Sequence, residues 1–306
     1  MKSPSAYFIA AVCLILLPAL PPSFSRTLQV FEGQDVRVMV EEPMKGAAAE
    51  ALDLYPGVKE GLERKLGLKV TFVPTVVLIK ESRTFRDMAG SDLVVAFAVP
   101  EEEIMVIDYS RMTLSPFTLR VTMEHELCHL LLHQYLKGGR IPRWFEEGIA
   151  QWVSEGIGEV IMDYQNPRLN EAVLAGRIIP LRALSESFPV DREALALAYE
   201  QSLSVVSYMV ERYGLESILN ILEAVREGNP WEEAVWGSLG ISLLDLEEGW
   251  RTHLKKRFTW FTYLAGHLYQ ILFFLAAVAL IIGFVRAYRR KRAYMEQEEE
   301  DHVSLS

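Results

Sequence analysis

The sequence predicts an α+β fold: a small mixed β-sheet in the N-terminal half, a helical second half, and one C-terminal helix able to cross a bilayer. Three observations carry that expectation. Strand-like and helix-like patterns alternate over residues 27–113, the periodicity turns helical from Ser115 onward, and residues 261–285 form an apolar run without a charge. At 306 residues, half of them hydrophobic, the chain can bury a sizeable core. Its 31 basic and 41 acidic residues leave a net charge of −10, so it offers no diffuse positive field to a phosphate backbone, and nucleic acid is excluded as a partner. Two cysteines, Cys13 and Cys128, make no disulfide framework.

The elements follow in order. Residues 1–25 hold one lysine, an apolar run from Ala6 to Leu17 and a Pro/Ser-rich stretch, the order of a secretory signal peptide, with an uncleaved N-terminal anchor as the alternative. Pro18 cuts the run short of a full span. "DVRVMVEE" alternates with period two and reads as a half-buried strand, "AAAEALDLYPGVKEGLERKLG" has helical spacing with Gly67 as its stop, and "KVTFVPTVVLI" is β-branched. "DLVVAFAVPEEEIMVIDYS" reads as a hairpin turning around Pro100 to Glu103. Its second strand, "EIMVID", is either a core strand or an edge that could pair with an extended peptide.

Ser115 and Pro116 suit a helix start, and Gly138-Gly139 a stop after Lys137. Pro142 opens a second short helix, "RWFEEGIAQWVSEG", and four further helical segments follow. After the apolar run come Arg286, Arg289, Arg290, Lys291 and Arg292, which mark a cytoplasmic flank and place the preceding region outside. The expected organisation is a signal peptide over 1–25, an extracytoplasmic domain over 27–258, a transmembrane helix over 261–285 and a cytoplasmic tail over 286–306.

The chemistry concentrates in "MEHELCHLLLHQYL". His125 and His129 are four residues apart, so on a helix both imidazoles leave one face and can hold one ion. Glu126 lies about 100° round, placed to act on a water activated by the metal without ligating it. His133 extends the row, but it stands about 12 Å along the axis from His125, too far for one ion with bonds of about 2.0–2.1 Å. A catalytic zinc needs three protein ligands, and the next helix supplies two candidate carboxylates, Glu146 and Glu147. Cys128 points off the histidine face and reads as packing. Gln151, one turn past Glu147, could orient a ligand, although a solvated glutamine is the simpler reading.

"HELCH" followed after 17 residues by Glu147 in "WFEEGIA" resembles the gluzincin zinc metallopeptidases, a peptidase-MA-like group related to the aminopeptidase catalytic domain. The resemblance spans about Ser115 to Gly214. It implies a thermolysin/aminopeptidase-like catalytic domain, with the glutamate before the glycine, Glu147, as third zinc ligand rather than Glu146. A further match, "LAYEQSLSVVSYMVERYG", implies that Tyr199 donates to the oxyanion of the tetrahedral intermediate. The Gly-x-Met-Glu-Asn motif that captures a substrate amine in aminopeptidases is absent, since "FAVPEEEIMVIDYS" stands in its place. Aminopeptidase specificity is therefore not implied.

The expected activity is that of a membrane-anchored, extracytoplasmic zinc metallopeptidase acting on peptide or protein substrates. Zn2+ would be held by His125, His129 and Glu147, with Glu126 as proton carrier and Tyr199 as oxyanion donor. Two alternatives stand beside it: a non-catalytic zinc-binding scaffold or sensor at the membrane, and a zinc hydrolase of non-peptide amides or esters. A scaffold would have no need of Glu126. Nothing in the sequence fixes the oligomeric state.

Overall fold

The computed structural model describes residues 28–113, 117–155, 168–257 and 267–304. The leader, Ser115, Pro116 and residues 261–266 of the apolar run lie outside the described residues. Among those described, five strands and ten α-helices form the α+β fold expected from the sequence.

β1 (Leu28–Glu32) and β2 (Arg37–Glu41) pair antiparallel, with Gly33 and Val36 closing the turn. α1 (Lys45–Leu66) then returns the chain so that β3 (Thr75–Ile79) pairs parallel to β2. α1 ends as expected, with Gly67 left-handed at φ 69° and its N–H on Glu63 O. α2 (Ser82–Ala89) leads to the hairpin of β4 (Ala96–Val99) and β5 (Ile104–Asp108). The spatial order is β1-β2-β3-β5-β4.

That order corrects the edge-strand expectation. "EIMVID" is β5, flanked by β3 and β4 and buried along its whole length, so it is a core strand. The edges belong to β1 and β4, and β4 is the one beside β5. The central strands are buried on both faces, as parallel strands require. Met39, Val77, Ile79, Ile104 and Val106 cluster with Phe85 of α2, while Val38, Val40, Val76, Leu78, Met105 and Ile107, of the opposite parity, are also buried.

The second half is helical. α3 (Leu119–Leu136) packs on α1 and on β4 and β5, and α4 (Arg143–Val153) packs on α3 and against α6 (Arg192–Tyr213). α5 (Arg168–Leu174), α7 (Leu215–Arg226), α8 (Trp231–Leu239) and α9 (Leu243–Arg257) complete it. α3 begins three residues after Pro116, because Thr118 is extended and its hydroxyl accepts from Val121 N–H at 3.3 Å, making it the cap. It ends at Leu136, with Lys137 already left-handed at φ 51°.

α10 (Leu268–Ser304) contains a stretch, Leu268–Arg290, that is long and apolar enough to span a membrane. At its start His267 Nδ1 and Gln270 Oε1 hydrogen-bond to each other at 2.7 Å.

Candidate metal centre

α3 is a core helix. Thirteen of its eighteen residues are buried, including Glu124, His125, Glu126 and His129. A histidine motif on a solvated helix face would need no explanation. Four ionisable groups taken into the interior cost free energy unless each is paired or bound.

Glu124 is paired with Lys65 of α1, Nζ to Oε1 at 2.8 Å, and Lys65 also donates to Val153 O at the end of α4. The other buried groups turn toward one another. His125 Nε2 and His129 Nε2 lie 3.3 Å apart, and Glu147 Oε2 of α4 lies 3.7 Å from each. The three ligand atoms fall within 4.8 Å of one another.

Glu147 reaches this point because α4 packs very closely on α6. Gly148 touches the facing helix backbone: a Cβ there would stand 2.4 Å from Ser202 O and 2.5 Å from Val206 Cγ2. The Glu-Gly pair of "WFEEGIA" therefore has a steric cause, since any side chain after Glu147 would push α4 off α6. Gln151 seals the same seam. It is buried, not solvated, and its amide donates to Tyr199 O at 3.0 Å and to Glu147 O at 3.3 Å, so it joins the two main chains.

The consecutive glutamates take different places. Glu147 faces the imidazole Nε2 pair, whereas Glu146 Oε1 lies 3.0 Å from His129 Nδ1. On the other histidine, Ser154 Oγ is 3.4 Å from His125 Nδ1; since Ser154 donates to Ala150 O at 2.8 Å, it accepts from the imidazole. Each ring thus has an outer partner that leaves Nε2 directed at Glu147, the arrangement that fixes a metal-ligating imidazole. Sequence reasoning missed Glu146 and Ser154 in this role. Ser154 lies seven residues, two helical turns, after Glu147, so its place on the same face was readable.

Glu147 Oε1 points away from the histidines. Tyr199 hydroxyl donates to it at 3.4 Å, and Arg143 Nε stands 3.6 Å off, one turn earlier on α4. Tyr199 is buried, its ring packed edge-on against Phe188 at 5.1 Å, and the Arg143 guanidinium lies over the Phe188 ring, 4.8 Å from its centroid. Glu126 is fully buried beside His125, and His133, one turn beyond His129, is exposed and outside the cluster.

The electrostatics favour a cation between the histidines. Burial works against charge on His129, but the hydrogen bond to Glu146 and the charges of Glu147, Glu146 and Glu126 outweigh it and push its pKa up to about 10. Burial likewise works against Glu147, and His125, His129 and Arg143 outweigh it, holding its carboxyl below the ordinary carboxylate range. Burial, with the surrounding glutamates, pushes the Cys128 thiol well up, and the side chain is buried in the core.

These residues fit a metal ion. Glu147 Oε2 is buried, takes no hydrogen bond and faces two imidazole nitrogens. Tetrahedral bonds of about 2.0–2.1 Å separate ligand atoms by roughly 3.3–3.4 Å, and the observed 3.3 and 3.7 Å separations need only a small adjustment. Two imidazole nitrogens and one carboxylate oxygen make a three-residue donor set that could hold a metal ion.

Two clefts open beside the cluster. One, of about 750 Å³, is lined by His129, Glu146, Glu147 and Trp231, and the other, of about 710 Å³, by Tyr199, Phe188 and Arg86. Phe97 of the edge strand β4 and Arg143 line both. The profile of the Peptidase MA superfamily matches residues 89–256, just over half the chain and all of this centre. Comparison with curated proteins gave no match.

Proposed function

We propose, from the premise that the chain belongs to the Peptidase MA superfamily, that it is a zinc metallopeptidase anchored in a membrane with its catalytic domain on the extracytoplasmic side. The observation that carries the reading is the convergence of His125 Nε2, His129 Nε2 and Glu147 Oε2 in the protein interior beside two open clefts. His125, His129 and Glu147 would hold the ion. Bound there, zinc supplies Lewis acidity toward water and toward the scissile carbonyl.

The chain's own residues do the rest. Glu126, next to the first ligand and sealed from solvent, takes the proton of the attacking water and returns it to the leaving amine. Tyr199, whose hydroxyl lies on the ligand carboxylate, donates to the developing oxyanion without adding charge. Glu146 and Ser154 hold the imidazole tautomers. β4, at the edge of the sheet and lining both clefts through Phe97, offers an extended peptide a strand to pair with.

The membrane reading rests on the apolar stretch Leu268–Arg290 and the basic residues at its end, with the leader of residues 1–25 as export signal. The organisation proposed is a domain over 27–258, a span over 261–285 and a short tail inside.

The test is metal content followed by cleavage. The purified full chain should carry one zinc and cut extended peptides with blocked termini, and a chelator should abolish both. A chain without stoichiometric zinc would refute the centre. A zinc-loaded chain that cuts nothing across a broad blocked-peptide library would favour the scaffold alternative, and one that hydrolyses only small amides or esters the other.

A further inference from the structure

α8 and α9 meet in a tip that carries no charge. From Trp236 to Leu244 the chain reads "WGSLGISLL". None of its apolar residues is buried: Trp236 is 60% and Leu244 78% exposed, and Leu239, Ile241 and Leu243 are partly exposed. Helix geometry explains why the core does not cover the two largest. α9 buries Leu246, Trp250 and Leu254 at spacings of four, and Leu244 lies about 160° round from Leu246, on the opposite side. α8 buries Trp231, Ala234 and Val235, and Trp236 is turned from Ala234 by about the same angle.

The tip is built, not loose. Gly240, left-handed at φ 69°, donates its N–H to Trp236 O at 2.8 Å and ends α8. Ser242 and Asp245 then cap α9 reciprocally: Asp245 N–H donates to Ser242 Oγ and Ser242 N–H to Asp245 Oδ2, each at 3.1 Å. The turn satisfies these polar groups internally and still presents Trp236 and Leu244 outward.

We infer that this tip docks into the surface of the bilayer crossed by the chain's own span, Leu268–Arg290. The inference rests on the membrane-anchored reading of that span. Ten residues, 258–267, separate α9 from the span; ten extended residues reach about 33–36 Å, more than the roughly 22 Å of α9 itself, so the tip is within reach of the lipid. Tryptophan and leucine on an uncharged turn suit the boundary between headgroups and acyl chains, where interfacial segments bury their apolar side about 5–10 Å deep. Glu232, Glu233, Asp245 and Glu248 are exposed on the flanks, so the tip suits neutral lipid and not anionic headgroups. A second copy of the chain is the poorer occupant: an aromatic side chain buries about 150–250 Å² and the tip has one, against about 800 Å² per partner in a stable dimer. Trp231, at the start of α8, lines the cleft beside His129 and lies about 7.5 Å along the helix from Trp236, so a docked tip holds that cleft close to the lipid.

Cysteine probes in the full chain test this. With Cys13→Ser, the remaining cysteine, Cys128, is buried, and the fluorophore NBD reports an added one. Gly237→Cys places it on the tip and Gly283→Cys in the span; a Cβ meets nothing within 4 Å at either position. Each protein is reconstituted into phosphatidylcholine vesicles with and without lipid carrying a doxyl quencher on its acyl chain. The probe at position 237 should shift to the blue and lose emission to the doxyl lipid. Adding Trp236→Ser and Leu244→Ser, both on exposed side chains, should return it to a water-like spectrum, since each large apolar side chain withdrawn from lipid lowers docking at least about tenfold.

Quenching at position 283 without quenching at position 237 overturns the inference and leaves the span intact. A blue shift at position 237 without doxyl quenching also overturns it, and points to protein covering the tip. So does quenching that survives the two serine substitutions. Failure of the anchored reading looks different: the probe at position 283 then escapes quenching, and the inference falls with it.

Discussion

Gly148→Ala is the sharpest test of how the centre is built. The new Cβ would lie 2.4 Å from Ser202 O, about 1 Å short of the 3.4 Å at which ordinary contact begins, and 2.5 Å from Val206 Cγ2. Val206 could rotate, but Ser202 O is helix backbone and cannot, so α4 must move off α6 by about that distance in a close-packed interior. Overpacking of this kind costs about 1–3 kcal/mol, and contact with main chain puts it at the upper end. Alanine's helix propensity returns about 1 kcal/mol, leaving a net loss of about 2 kcal/mol. The same shift carries Glu147 away from two histidines on a different helix, so zinc affinity should fall at least about tenfold, given the narrow tolerance of metal–ligand distances. Urea unfolding of the detergent-solubilised chain and chelator competition would measure both. Gly46→Ala is the control: nothing lies within 4 Å of its Cβ, and it sits in α1, so it should be neutral or stabilising by up to about 1 kcal/mol. If Gly148→Ala matches wild type in stability and zinc affinity, the steric account of the Glu-Gly motif is wrong.

The remaining predictions concern the ligands, the chemistry, pH and topology. Glu147→Ala should abolish zinc binding, whereas Glu146→Ala should retain zinc with affinity weakened about 10–100-fold, the usual cost of losing an imidazole's outer partner; reversed effects in metal analysis would place the ligand one residue earlier. Glu126→Gln should keep zinc and fold while losing about 10²–10⁴-fold in turnover, and Tyr199→Phe should keep zinc and lose roughly 10²-fold; peptide cleavage indifferent to Glu126→Gln removes the proton-transfer mechanism. His129 has a pKa raised from 6.5 to about 10 in the metal-free fold, so its protonated form stabilises that fold fully below pH 6.5, and the contribution is lost as pH rises toward about 10. Zinc must displace that proton, so its apparent affinity should climb about tenfold per pH unit through neutrality, and a flat profile in competition titrations contradicts the arrangement around His129. Protease added to intact cells should reach the domain and spare a tag placed after Ser306, while a protected domain would reverse the orientation.

What could be read from the sequence follows from the range of the forces involved. His125, Glu126 and His129 were legible because helix geometry alone puts the imidazoles on one face. Glu147 needed a resemblance, since nothing local separates it from Glu146; only the packing of α4 on α6 does. Tyr199 shows the same limit, because its hydroxyl meets Glu147 across 52 residues. The strand "DVRVMVEE" was visible from alternation and the hairpin holding "AFAV" from two apolar runs around a charged turn, but the order that buries β5 and leaves β4 at the edge depends on a parallel crossover through α1, which no periodicity encodes. Gln151 was misread as solvated for a related reason: a glutamine one turn from a ligand looks the same in sequence whether its amide meets water or the main chain of another helix.

The boundary of the family match raises a structural point about the first 88 residues. The match begins at residue 89, yet α1 lies before it and sets Lys65 beside the centre. Lys65, from α1, is the counter-charge for Glu124, which immediately precedes His125, and it also caps the carbonyl of Val153 beside Ser154, the partner of His125. Gly61 lets α1 approach α3 closely enough for this, since a Cβ there would stand 3.3 Å from Glu124 Oε1. Without Lys65, Glu124 would be a buried, uncompensated carboxylate next to a candidate metal ligand, a loss usually far larger than that of an exposed pair. α1 therefore belongs to the support of the helix that carries the candidate ligands, and a boundary drawn at residue 89 would cut Glu124 from the group that neutralises it.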